Sequence, residues 1–150
     1  VAEQVTEKGF TLSRRTEFDR VNAATQILLV DTMGEMLPFL ASSDVVCMGG
    51  SFIENGGHNP LEAAALAKPV LMGPSQFNFE TICKQLTECQ GMQTVNDPAN
   101  LSQQILALFQ DQPAAQAMGQ NALKLVTENR GAKQKLFDGI QQLLVDCAAN

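Results

Sequence analysis

Short apolar, β-rich runs alternate with helix-like runs along the chain, and this alternation restricts the fold more than any other feature of the sequence. FTLSRRT (10–16) and QILLVDT (26–32) read as strands, the second an apolar run ending in a polar turn. EMLPFLASS (35–43) reads as a short helix, DVVCMGG (44–50) as a third strand and NPLEAAALA (59–67) as a helix. KPVLMG (68–73) is the fourth strand, FETICKQLTEC (79–89) the next helix and GMQTV (91–95) a short last strand. The tail is helical. NDPANLSQQILALF (96–109) opens with Asp97 as cap and Pro98 at the first helical position. Two more helices follow, divided near Arg130-Gly131, and Leu136, Ile140, Leu143, Leu144 and Cys147 form one apolar helix face.

Continuous apolar strands separated by helices imply a Rossmann-like α/β fold, a parallel sheet with helices on both faces. The chain has 150 residues, enough for one domain with a real core, and residues 1–150 are read as one. At 45% hydrophobic and 17% charged, the composition is that of a folded globular protein. A formal net charge of −6 excludes nucleic acid as the main partner and a basic membrane-binding face on average charge. No apolar run reaches the roughly 18–20 residues of a membrane span, and no signal peptide is visible. Cys47, Cys83, Cys89 and Cys147 show no Cys-x-x-Cys spacing and read as reduced core or helix cysteines of a cytosolic protein. The opening VAEQVTEKG starts at Val1 rather than Met and reads as the end of a helix, so the chain is expected to be a fragment of a longer protein.

Parallel sheets of this kind bind ligands beyond the carboxyl ends of their strands, and the unusual residues fall there. DTMGE (31–35) follows ILLV, GGSFIENGGHN follows VVCM, and GPSQFNF (73–79) follows PVLM. In the first, Thr32 and Glu35 have capping-box spacing; alternatively, Gly34 admits a planar base to the backbone and Met33 offers an apolar face. In the second, Asn59 caps a helix with Pro60 at its first position. Glu62 stands either as the capping carboxylate or as an acceptor for ribose hydroxyls. The cap leaves Gly49, Gly50, Gly56 and Gly57 unexplained. Glycines beside a helix N-terminus let a phosphate or sugar reach unpaired N–H groups without a Cβ in the way. Neither the P-loop pattern nor G-x-G-x-x-G is present, since Ser51 occupies the second glycine position. His58 is either a donor to a phosphate or carboxylate or a loop-shaping residue, and no second His or Cys completes a metal set. Phe77 and Phe79 anchor a loop over the rim or pack in the core; Ser75 and Asn78 are candidates to face a ligand.

Together DTMGEM and GGSFIENGGHNPLEAAALAKPVLMGPSQFNF resemble the C-terminal, donor-binding half of the 3-deoxy-D-manno-octulosonic acid (Kdo) transferases. These are two-domain glycosyltransferases of the GT-B type. The resemblance runs from about Thr11 to Val95. It implies transfer of Kdo from CMP-Kdo to lipid A precursor in lipopolysaccharide core biosynthesis, with no cofactor and no metal. It also implies that cytosine lies against Met33, Gly34 and Glu35, and the ribose side of CMP against Asn59, Pro60, Leu61 and Glu62. From helix-terminus electrostatics, the loop carrying Gly49, Gly50, Ser51, Gly57 and His58 is expected near the phosphate and the Kdo carboxylate.

By the same resemblance, the catalytic acidic residue belongs to an N-terminal domain not contained in this sequence. A Pro-Arg donor contact is expected before Val1, at the end of the domain's first strand. Loss of that strand would leave its neighbours with unpaired edges, so the chain alone is expected to be inactive and loose in its sheet. The lipid A precursor and the cytoplasmic side of the inner membrane would be met by the missing domain, with the helix over 132–148 crossing between halves. Two rival readings remain: a GT-B domain for a UDP-sugar, and a non-catalytic protein-binding α/β domain whose glycines only turn the chain.

Overall fold

Each apolar run forms a strand, trimmed to three residues: β1 Leu12–Arg14, β2 Ile27–Leu29, β3 Val46–Met48, β4 Val70–Met72 and β5 Met92–Thr94. The computed structural model describes residues 1–131 together with Phe137, Ile140 and Gln141. Its helices are α1 Ala2–Glu7, α2 Met36–Ser42, α3 Leu61–Ala64, α4 Glu80–Glu88, α5 Pro98–Gln110 and α6 Gln112–Glu128, with a 3-10 segment Arg15–Arg20 after β1. The helix expected over 132–148 lies, apart from those three residues, outside the described part. Among the described residues no helix is long and apolar enough to cross a membrane.

All strand pairings among the described residues are parallel, as expected, and they fall into two sets, β1-β2 and β3-β4-β5. The chain correspondingly divides into two compact units, Val1–Pro38 and Phe39–Asn150.

In the larger unit, alternate strand residues point to opposite faces and both faces are covered. Val46, Met48, Val70, Met72 and Met92 pack with Ala63 and Ala64 of α3, Cys83 and Leu86 of α4 and Ala122 of α6. Leu71 and Val95 pack on the other side with Leu108 of α5 and Ala115 of α6. The central strand β4 is fully buried, and each side chain of this size stabilises the fold by roughly 1.5–3 kcal/mol on burial. Helix α5 starts where the sequence signal places it, and α6 starts in the same way. Asp97 accepts the Asn100 amide at 2.8 Å and Asp111 the Ala114 amide at 3.0 Å. Both tie off amides that a helix start leaves unpaired.

Candidate functional site

The β3 loop closes on itself. The Gly57 amide donates to the Gly50 carbonyl and the His58 amide to the Gly49 carbonyl, both at 3.1 Å. Gly57 is held to glycine first by its backbone. Its φ of +68° lies in the left-handed region, and a Cβ there would overlap the Met72 side chain of the core. Gly49 and His58 are exposed at the neck of the loop, Gly50 is half-buried, and Gly56 and Gly57 are buried.

Ser51 is the buried hub of this region, at 0% exposure. Its hydroxyl donates to the Met48 carbonyl at 2.6 Å and accepts the Gly73 amide at 2.8 Å. Its carbonyl accepts the Ser75 amide at 2.9 Å. The β4 loop answers at the far end: the Ser75 hydroxyl accepts the Gly56 amide, and Asn78 Nδ2 donates to the Asn55 carbonyl, both at 3.0 Å. Gly73 is a close-approach glycine, because a Cβ would run into the Ser51 carbonyl. Gln76 extends the ties to β5 through Thr94 Oγ1 at 3.0 Å. The loops after β3 and β4 thus form one hydrogen-bonded block at the carboxyl end of the larger sheet.

The chain leaves this block through Asn59 into α3. Asn59 Oδ1 accepts the Leu61 amide at 3.1 Å, but the helix begins one residue later than the sequence indicates, at Leu61, with Pro60 rather than Asn59 in the N-cap position. Pro60 is buried and Leu61 half-buried, which fixes the turn against the core. Glu62 does not complete a capping box. It is exposed, and its carboxylate makes no hydrogen bond or ion pair among the described residues. The helix expected over 59–67 is regular only for Leu61–Ala64 and tightens to Ala67, whose φ is +55°. One turn carries little macrodipole, so the helix start adds little to what its individual N–H groups offer.

The Asp31–Glu35 turn belongs to the smaller unit, after β2. Met33 is 96% exposed and Gly34 takes a φ of +81° with open space around it. The expected capping box takes another form. Helix α2 begins at Met36, after Glu35, and the Thr32 hydroxyl donates to the Glu35 carboxylate. Arg15 Nη2 donates to the other Glu35 oxygen at 2.8 Å. The Thr32 hydrogen bond, then Arg15, holds the Glu35 carboxyl below its ordinary value. Asp31 accepts the Thr16 amide at 3.1 Å and its hydroxyl at 2.9 Å, with Arg14 at 3.4 Å. The Thr16 amide foremost, then its hydroxyl and Arg14, lowers the Asp31 carboxyl as well.

Sequence reasoning missed Arg15, Thr16 and the bracing role of Ser75. A signal for Thr16 exists once strand pairing is known. Arg14 pairs with Leu29, so two residues further on Thr16 meets Asp31. The β3 and β4 loops are brought together as expected, and Met33, Gly34 and Glu35 share a turn at the carboxyl end of their own strand. Cys47 is exposed, Cys89 half-buried and Cys83 buried, all free thiols.

The chain as a whole is similar to known proteins. The family model for glycosyl transferases group 1 matches residues 7–125, and the chain belongs to that family. Within it, the chain is 37% identical over 145 residues to the 3-deoxy-D-manno-octulosonic acid transferase of Haemophilus influenzae, covering 96% of this chain and 34% of the relative. The enzyme of the same name from Bordetella pertussis is 32% identical over 118 residues, covering 79% and 28%. Among solved structures, the C-terminal CMP-Kdo binding domain of WaaA from Acinetobacter baumannii superposes with a TM-score of 0.80 at 31% identity, covering 83% of this chain and 65% of that one. The resemblance read from the three loops is therefore borne out, and the fold is the α/β fold of a GT-B C-terminal domain. The chain spans about a third of the length of these curated relatives.

Proposed function

We propose that this chain is the donor-binding half of a glycosyltransferase that moves Kdo from CMP-Kdo to lipid A precursor in lipopolysaccharide core biosynthesis. The observation that carries the reading is the braced loop block at the carboxyl end of the larger sheet. It leaves Gly49 and His58 exposed at its neck and Glu62 exposed, with no partner among the described residues, just beyond, in a chain similar to a CMP-Kdo binding domain. In this reading Met33, Gly34 and Glu35 face cytosine. Asn59, Pro60, Leu61 and Glu62 form the ribose side, with the Glu62 carboxylate accepting from the hydroxyls. Gly49, Gly50 and His58 face the phosphate and the Kdo carboxylate. Ser51 and Gly57 shape that loop from inside, since the Ser51 hydroxyl is already used within the fold.

The part of this chain in the reaction is to orient the donor and stabilise the departing CMP phosphate with positioned N–H groups. Removal of the proton from the acceptor hydroxyl falls to an acidic group outside this sequence. The acceptor and the cytoplasmic face of the bacterial inner membrane are likewise assigned to residues outside it.

Titration with CMP and with UMP, followed by NMR, tests the reading. The amides of Gly34, Gly49, His58 and Glu62 are expected to shift more with CMP. Larger shifts with UMP favour a UDP-sugar enzyme, and none with either nucleotide favours the protein-binding alternative.

A further inference from the structure

We propose that Ser75 is a positioning residue of the donor site, the latch that keeps the β3 loop in its closed form. The inference rests on the donor-binding reading above and adds a residue that touches no ligand itself.

A ten-residue loop rich in glycine has many open conformations, and closing it costs chain entropy. Its own two neck hydrogen bonds join only Gly49–Gly50 to Gly57–His58. Ser75 grips the loop at both ends from the neighbouring β4 loop. Its amide holds the Ser51 carbonyl at 2.9 Å on the entry side, and its hydroxyl accepts the Gly56 amide at 3.0 Å on the exit side. Gly56 is buried, so an amide deprived of that hydroxyl must either stay unsatisfied or swing out to water. Opening at Gly56 moves the adjoining Gly57 and His58, and therefore the neck that faces the donor phosphate. Asn78, exposed and bonded to the Asn55 carbonyl at 3.0 Å, is a weaker second brace on the same loop.

The test compares wild type, Ser75→Ala, Ser75→Thr and Asn78→Ala by amide hydrogen exchange and by CMP binding. Ser75→Ala should speed exchange at Gly56 and Gly57 about tenfold through local opening. It should also weaken CMP binding about threefold to tenfold, the range one lost hydrogen bond commands. Ser75→Thr, which keeps the hydroxyl, should restore both, and Asn78→Ala should show a smaller effect of the same sign. If Ser75→Ala does not fold, Asn78→Ala and Ser75→Thr carry the comparison, and unchanged loop exchange and CMP affinity in Asn78→Ala then overturn the latch. Unchanged CMP affinity in a folded Ser75→Ala, or failure of Ser75→Thr to restore it, overturns the latch alone. A wild-type chain that binds no CMP overturns the donor-binding reading itself and this inference with it.

Discussion

The β3 loop and the Asp31–Glu35 turn both follow the carboxyl end of a parallel strand, yet opposite chemistry holds them. The loop is fixed by neutral hydrogen bonds around buried Ser51, between backbone groups and two serine hydroxyls. The turn is fixed by charged side chains at the surface, Glu35 by Thr32 and Arg15, and Asp31 by Thr16 and Arg14. Neutral buried bonds respond to packing and are indifferent to pH and salt. Surface ion pairs are screened by salt and titrate. One region is therefore shaped by steric fit, and the other is adjustable by solution conditions.

Gly57→Ala breaks this contrast most severely. A side chain at a left-handed φ that also collides with Met72 should cost about 2–4 kcal/mol, read as a lower urea midpoint. Ser51→Ala comes next. It strands the buried Gly73 amide and the Met48 carbonyl, and should cost about 1–3 kcal/mol in the same assay.

The turn should respond to acid instead. Asp31 and Glu35 have folded pKa values below their ordinary ones, so their stabilisation is complete at neutral pH. It is lost as pH falls from about 4, the ordinary carboxylate range, through the depressed values. An NMR pH titration should show the Thr16 amide moving in that window while the Gly56 amide stays still. Arg15→Gln should raise the Glu35 midpoint. A Gly56 amide that titrates alongside Thr16 would erase the distinction between the two regions.

Glu62→Gln should perturb the fold least. An exposed carboxylate with no partner among the described residues can be neutralised within about 0.5 kcal/mol of stability. CMP affinity should nevertheless fall by about tenfold, the scale of a hydrogen bond to a charged group, and unchanged affinity would remove Glu62 from the ribose contact.

Local signals in the chain were enough for the element order, the parallel class, the Asp97 cap and the placing of the unusual residues after strands. Apolar periodicity and capping residues act over three or four neighbours, and that distance is legible in a line of text. The loop motifs were specific enough to point to the family as well. What the glycines are for was not legible. Gly73 is dictated by the Ser51 carbonyl, and the left-handed Gly57 abuts the Met72 side chain, contacts made only once β3 and β4 lie side by side. The same holds for Ser75 beneath Gly56, 19 positions away, and Arg15 beside Glu35, 20 positions away. The division of the strand pairings into two sets is also a tertiary outcome, because a strand's pattern marks it as buried without naming the neighbour it pairs with. Sequence alone determined which segments turn at the mouth of a parallel sheet. Only the assembled structure decided which of their residues are spent holding the turns and which remain exposed, because hydrogen-bond partners and steric neighbours are set by position in space.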